Sequence, residues 1–160
     1  MDILLQELSG GLPDGRELVR VLLRLAAAAL VGAIAGVQRE RAGKAAGLRT
    51  HMLVGLGAAV FVMVPMQVGI GADGLARVIQ GVAAGIGFIG GGAILKLSEQ
   101  KEIHGLTTAA GIWMTAAAGV AVGLGGLGLA LIAMTLTWTI LVVVHWIEER
   151  IDIRKGDAPG

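Results

Sequence analysis

Five apolar stretches follow one another between Leu18 and Ile147, separated only by short linkers that hold most of the charge. A hydrocarbon core about 30 Å thick is crossed by about 20 helical residues, and about 17 still suffice. Such a run of lengths predicts an all-α integral membrane protein, a compact bundle of five transmembrane helices near residues 18–38, 51–67, 75–96, 106–123 and 127–147. Composition agrees: 55% of residues are hydrophobic and 16% charged, against about 45–50% and 25% in soluble domains. Residues 1–160 read as a single transmembrane domain, because the head before Leu18 and the tail after Ile147 are too short to fold separately. With no cysteine, disulfides and thiolate metal sites are excluded. A formal charge of +1 gives no reason to expect a nucleic-acid partner.

Lysine and arginine are unevenly shared between the two ends of these spans. Arg39, Arg41, Lys44 and Arg49 occupy the first linker, Lys96 and Lys101 border the third, and Arg150, Arg154 and Lys155 lie in the tail. The opposite ends offer Arg16, Arg20, Arg24 and Arg77. Cytoplasmic loops carry the excess of basic residues, so the N-terminus is expected outside and the C-terminus in the cytoplasm. Asp2, Glu7 and Asp14 precede the first span and RERAGK follows it, the reverse of a signal peptide's order, so this span is expected to remain as an anchor. His145 and Trp146 fall where an interfacial belt would lie.

Glycine is abundant, and Gly85, Gly87 and Gly90 spell the G-x-G-x-x-G pattern of dinucleotide-binding loops. That pattern requires a preceding strand and an acidic residue about 20 positions on. Neither is present within the apolar run Val78 to Leu95, and no lysine follows Gly92 to make a phosphate loop. Close helix packing explains the glycines better, since small residues four apart let membrane helices approach. Stripes of this kind are Ala28, Gly32 and Gly36; Ala83, Gly87 and Gly91; and Gly111, Thr115, Gly119 and Gly123. They predict a tight bundle and a homo-oligomer. Three consecutive glycines, Gly90, Gly91 and Gly92, also permit a helix break whose carbonyls would face a cavity or ion path.

Ionisable residues within or beside spans are costly and are the default functional candidates. Two groups stand out. At the outer level are Arg20, Arg24, Asp73, Arg77 and Gln80, whose bland explanation is snorkelling and helix-end pairing. The cytoplasmic level is denser, with Gln38, Arg39, Glu40, Lys44, Arg49, Thr50 and His51 joined by Lys96, His104, Thr107 and Thr108. The functional centre is placed there, on Glu40, Arg49, Thr50, His51, Thr107 and Thr108. Glu40 is the one acid among four basic residues of its linker and is expected to be oriented by Arg39 or Arg49. Helix capping is the plain alternative for the threonines.

An enzyme is not expected. Ser9 and Ser98 lie outside the spans, no carboxylate dyad lies within them, and His51, His104 and His145 lack the paired spacing of a zinc site. No cofactor is expected.

The stretches RERAGKAAGLRTHMLVGLGA, RVIQGVAAGIGFIGGGAILK and EIHGLTTAAGIWMTAAAGVAVG resemble three successive signatures of the MgtC/SapB family of bacterial inner-membrane proteins, and LLRLAAAALVGAIAG before them resembles the family's first helix, with Arg24 at its arginine position. Gln38, Ala45 and Thr107 depart from residues common in the family. Members closest to the namesake carry a soluble C-terminal domain, and the resemblance here is to the transmembrane part alone. It implies a multi-pass protein of the bacterial inner membrane linked to Mg²⁺ limitation, with the bilayer, further copies of itself and other inner-membrane proteins as partners. Two functions stay open: transport or conduction of Mg²⁺ or another cation, with Mg²⁺ as ligand or transported ion, and regulation of other membrane proteins without transport. A tight Mg²⁺ site usually brings one or two carboxylates, whereas Glu17, Glu40 and Asp73 all sit at span ends.

Overall fold

The computed structural model describes residues 14–95, 104–144, 146, 147 and 150. Five helices carry the described chain: α1 Gly15–Arg41, α2 Leu48–Gln67, α3 Ala72–Leu95, α4 Leu106–Gly123 and α5 Leu127–Thr139, the last continuing into a π-helical segment, Ile140–Val144. Each, the last together with its π-helical continuation, is long and apolar enough to cross a bilayer, and the described residues contain no strand. The chain is a multi-pass membrane protein. Lys96, Lys101, His145, Arg154, Lys155 and the acidic head residues Asp2 and Glu7 lie outside the described residues.

Helix ends run past the apolar limits because hydrogen bonding does not stop where charge begins. Helix α1 starts three residues early, where the Asp14 carboxylate accepts from the Glu17 amide at 2.8 Å, satisfying an amide that has no intrahelical partner. It then continues through Arg39, Glu40 and Arg41. Helix α3 also differs from one allowed expectation. It runs unbroken through Gly90, Gly91 and Gly92 to Leu95, so no carbonyl is released there to line an ion path. A glycine weakens a helix by about 1 kcal/mol relative to alanine, but an unsatisfied backbone group in hydrocarbon costs several, and continuity wins.

Helix α4 is the hub and packs against all four others. In its most apolar window 50% of residues are buried, against 6% in α3, which leans on the outside of the bundle, chiefly against α4. Small side chains make the core: Ala28, Val31 and Ala35 of α1 meet Ala59 and Met63 of α2, Ala118 and Val122 of α4, and Ala130 and Met134 of α5. Large apolar side chains such as Leu23, Phe61, Phe88 and Leu129 project outward, as expected where the surroundings are lipid tails.

The glycine stripes have separate fates. Gly32 and Gly36 press on α2, where a β-carbon at Gly36 would lie 2.8 Å from Leu48 Cα, and one at Gly32 would overlap the His51 carbonyl. Gly119 likewise abuts the Gly55 carbonyl. These are sites where any larger residue must push backbones apart. Gly111 meets only the edge of the His51 ring, 3.5 Å from Cε1. Gly87 and Gly91 have open space around them, so the stripe of α3 does not pack within the protomer.

Candidate functional site

The inward face of α1 reads Ala28, Gly32, Ala35 and Gly36, and the same helical spacing carries it on to Arg39. Its guanidinium is thereby drawn inside, with Arg39 only 3% exposed. There Nη2 donates to Thr108 Oγ1 at 2.6 Å and to Thr107 Oγ1 at 3.3 Å, both in the first turn of α4. Thr108 is buried and Thr107 exposed. Two turns further along α4, the fully buried His51 of α2 stands with Nδ1 2.7 Å from Thr115 Oγ1. Thr115 gives its only hydrogen to the Gly111 carbonyl at 2.9 Å. Its oxygen must therefore accept, which makes Nδ1 the donating nitrogen of the imidazole. Three helices thus meet through a layered polar core. Gln38 Oε1, Arg39 Nε and His51 Nε2 are buried there without hydrogen-bond partners. Orphaned groups of this kind are uncommon and mark places to look for function.

Glu40 has a different partner from the one expected. Its Oε2 accepts from the Leu48 amide at 2.7 Å, closing the loop and capping α2. A β-carbon at Gly47 would collide with this carboxylate, so Gly47 leaves room for the cap. No ion pair joins Glu40 to Arg39 or Arg49 among the described residues. Arg49 is exposed and Thr50 is partly buried; neither side chain bonds to another described residue. Of the six residues placed at the functional centre, the structure brings His51, Thr107 and Thr108 into the polar core and leaves Glu40, Arg49 and Thr50 on the loop side of it.

The outer group also divides. Arg24 Nη1 donates to the Gly123 carbonyl at 3.0 Å, closing the C-terminal end of α4 beside Gly125, whose φ of 92° suits the turn. Asp73, Arg77 and Gln80 stand instead on the exposed side of α3, with no ion pair to Arg24. Glu17 pairs with Arg20 on α1. Near the far end of the chain, Arg150 stacks 3.8 Å over the exposed Trp146 ring, a cation–π contact suited to an interface.

Arg39 and Thr115 are the residues that sequence reasoning undervalued. Arg39 was read as a partner for Glu40 and Thr115 as a small packing residue. The stripe running into Arg39 was the available signal. The described residues hold no group of three histidine, aspartate or glutamate side chains that could enclose a metal ion.

Known proteins resolve the family. The model of the MgtC family matches residues 25–150, which include every member of the polar core. The chain belongs to the MgtC family. Protein SrpB of Synechococcus elongatus is 45% identical over 141 residues, covering 79% of this chain and 75% of SrpB. YhiD of Escherichia coli K12, named a putative magnesium transporter, is 39% identical over 137 residues, covering 81% of this chain and 63% of YhiD. MgtC of Salmonella typhimurium LT2 is 37% identical over 139 residues, covering 87% of this chain and 58% of MgtC. This MgtC-family chain thus spans about three-fifths of the length of YhiD and MgtC. No solved structure matches it.

Proposed function

We propose that this protein serves Mg²⁺ homeostasis in the bacterial inner membrane as a regulator of other membrane proteins, without passing the ion through its own protomer. The observation that carries this reading is the make-up of the polar core. Its buried charge is the guanidinium of Arg39, with threonine hydroxyls and an imidazole around it and no carboxylate among the described residues. Mg²⁺ calls for near-octahedral oxygen ligation and surrenders water reluctantly, and a fixed positive charge on the path opposes it. Continuity of α3 through Gly90–Gly92 removes the other expected source of ligating oxygens. The basic residues of the first linker support a cytoplasmic position for this end of the bundle, where soluble ligands and protein partners would meet it.

Transport is the second reading, favoured by the name that YhiD carries. Ligands shared between copies across the exposed side of α3 would be its route. Proteoliposomes holding the purified chain and a Mg²⁺-sensitive dye inside distinguish the two. The regulator reading expects an influx equal to that of empty liposomes, alongside rescue of growth at limiting Mg²⁺ in a strain lacking its own MgtC-family gene. Mg²⁺ influx above the empty control would establish transport instead.

A further inference from the structure

We infer that the end of the bundle where α1 stops and α4 begins is a binding site for a phosphate group. A pocket of about 480 Å³ opens there, walled by Gly43 to Ala45 on one side and His104 to Thr108 on the other. Among the described residues lining it, none is acidic.

Donors converge on this pocket from separate elements. Helix α4 begins after Gly105, a glycine with φ of 93° that supplies no side-chain cap. The first amide to bond back is Ala109, to the Gly105 carbonyl at 2.9 Å, so the amides of Leu106, Thr107 and Thr108 precede the ladder and lack intrahelical acceptors. The positive end of the helix dipole adds to them. Opposite stands the exposed Lys44, whose own amide is tied to the Arg39 carbonyl at 3.0 Å, fixing the loop against α1.

The decisive observation is independent of the helix end. Arg39 is 97% buried, since only 3% of it is exposed, yet no carboxylate lies within ion-pair distance among the described residues and its Nε has no partner. Glu40, the adjacent acid, is committed to the Leu48 amide. Arg39 reaches the pocket wall itself, through the hydroxyl oxygens of Thr107 and Thr108. Because those oxygens accept from Arg39, the guanidinium polarises the hydroxyls toward donating their own hydrogens. A buried cation without a counter-ion is expensive, and an anion in the pocket supplies the missing charge one hydroxyl away.

The geometry selects the anion. The pocket sets backbone amides and hydroxyls at the start of α4 opposite a loop that carries Lys44, a set of donors that suits a tetrahedral oxyanion, which has acceptors on every side. A carboxylate offers two coplanar oxygens, and chloride has no directional demand. Free phosphate and the headgroup phosphate of an anionic lipid share this chemistry. The inference stands apart from the Mg²⁺ reading and survives its failure.

The test is thermal melting of the purified full chain in a neutral detergent. One arm compares inorganic phosphate with chloride at equal ionic strength and pH. The other compares micelles doped with phosphatidylglycerol against micelles doped with an uncharged glycolipid. The expected result is a rise in melting temperature of several degrees in one arm: with inorganic phosphate if the site takes the free ion, with phosphatidylglycerol alone if it takes a headgroup. Lys44→Gln, at an exposed position, should melt like the wild type in chloride, and Lys44→Gln and Thr107→Val, each read against its own melt in chloride, should need at least ten-fold more of the active ligand for the same rise. Arg16→Gln, at the other end of α1, should keep the full response. No rise in either arm overturns the inference, as does a rise that Lys44→Gln and Thr107→Val both retain in full.

Discussion

Replacing Thr115 by valine would isolate the inner layer of the polar core. The two side chains have nearly the same shape, so no cavity opens, but the oxygen that receives His51 Nδ1–H at 2.7 Å disappears. His51 is fully buried and its Nε2 already lacks a partner, so the imidazole would be left with neither nitrogen bonded. An unsatisfied buried polar group costs about 1–3 kcal/mol, whereas interhelical side-chain bonds in membranes average about 0.6 kcal/mol with a ceiling near 1.7. Together these put the loss at about 1–2 kcal/mol. Titration from dodecyl maltoside into sodium dodecyl sulfate, followed by the fluorescence of Trp113 on the same helix, would measure it. The control is His51→Leu: in that background Thr115→Val should cost less than about 0.5 kcal/mol, because the group it orphans is gone. Equal costs in the two backgrounds would show that the bond contributes nothing and that the layer is held by packing alone.

Gly119→Leu should collapse folded yield, since its side chain would enter the Gly55 backbone. Gly87→Leu should leave the protomer's unfolding curve unchanged because nothing lies within 4 Å of its β-carbon; loss of a larger species in detergent sizing would then locate a self-association face on α3. Glu40→Gln keeps an oxygen for the Leu48 amide and should retain growth at limiting Mg²⁺, whereas Glu40→Ala should lose about 0.5–2 kcal/mol of stability with the cap. Growth abolished by Glu40→Gln at normal membrane abundance would restore Glu40 to the functional centre. A reporter inserted near Gly71 should be active only if it reads the outside, and one fused after Gly156 only if it reads the cytoplasm; the reverse pattern would invert the membrane orientation.

The spans were legible because crossing a bilayer sets a length that hydropathy reports directly, and α4 occupies the residues 106–123 read from the sequence. Where the reading stopped short, as at both ends of α1, hydropathy ended at the first charge while the helix continued to its cap. The partner of Glu40 was hidden for a different reason. That partner, the Leu48 amide, is eight residues away across a loop, and composition does not reveal that closure. Arg39 was visible in principle as the next position of a stripe of small residues. The assumption that a linker arginine meets water hid it.

Helix α4 touches every other helix, yet it is fourth in order of synthesis. During biogenesis α1 and α2 can pair as soon as both have left the translocation machinery, since they share one of the largest interfaces of the bundle. Helix α3 then waits in lipid, because most of its contacts are to a segment not yet made. Until α4 arrives, His51 faces a slot that nothing fills and Arg39 has no hydroxyl to hold. A chain stalled after Leu95 would therefore carry an unshielded cation beside the membrane, a mark by which quality-control proteases could tell an unfinished protomer from a finished one.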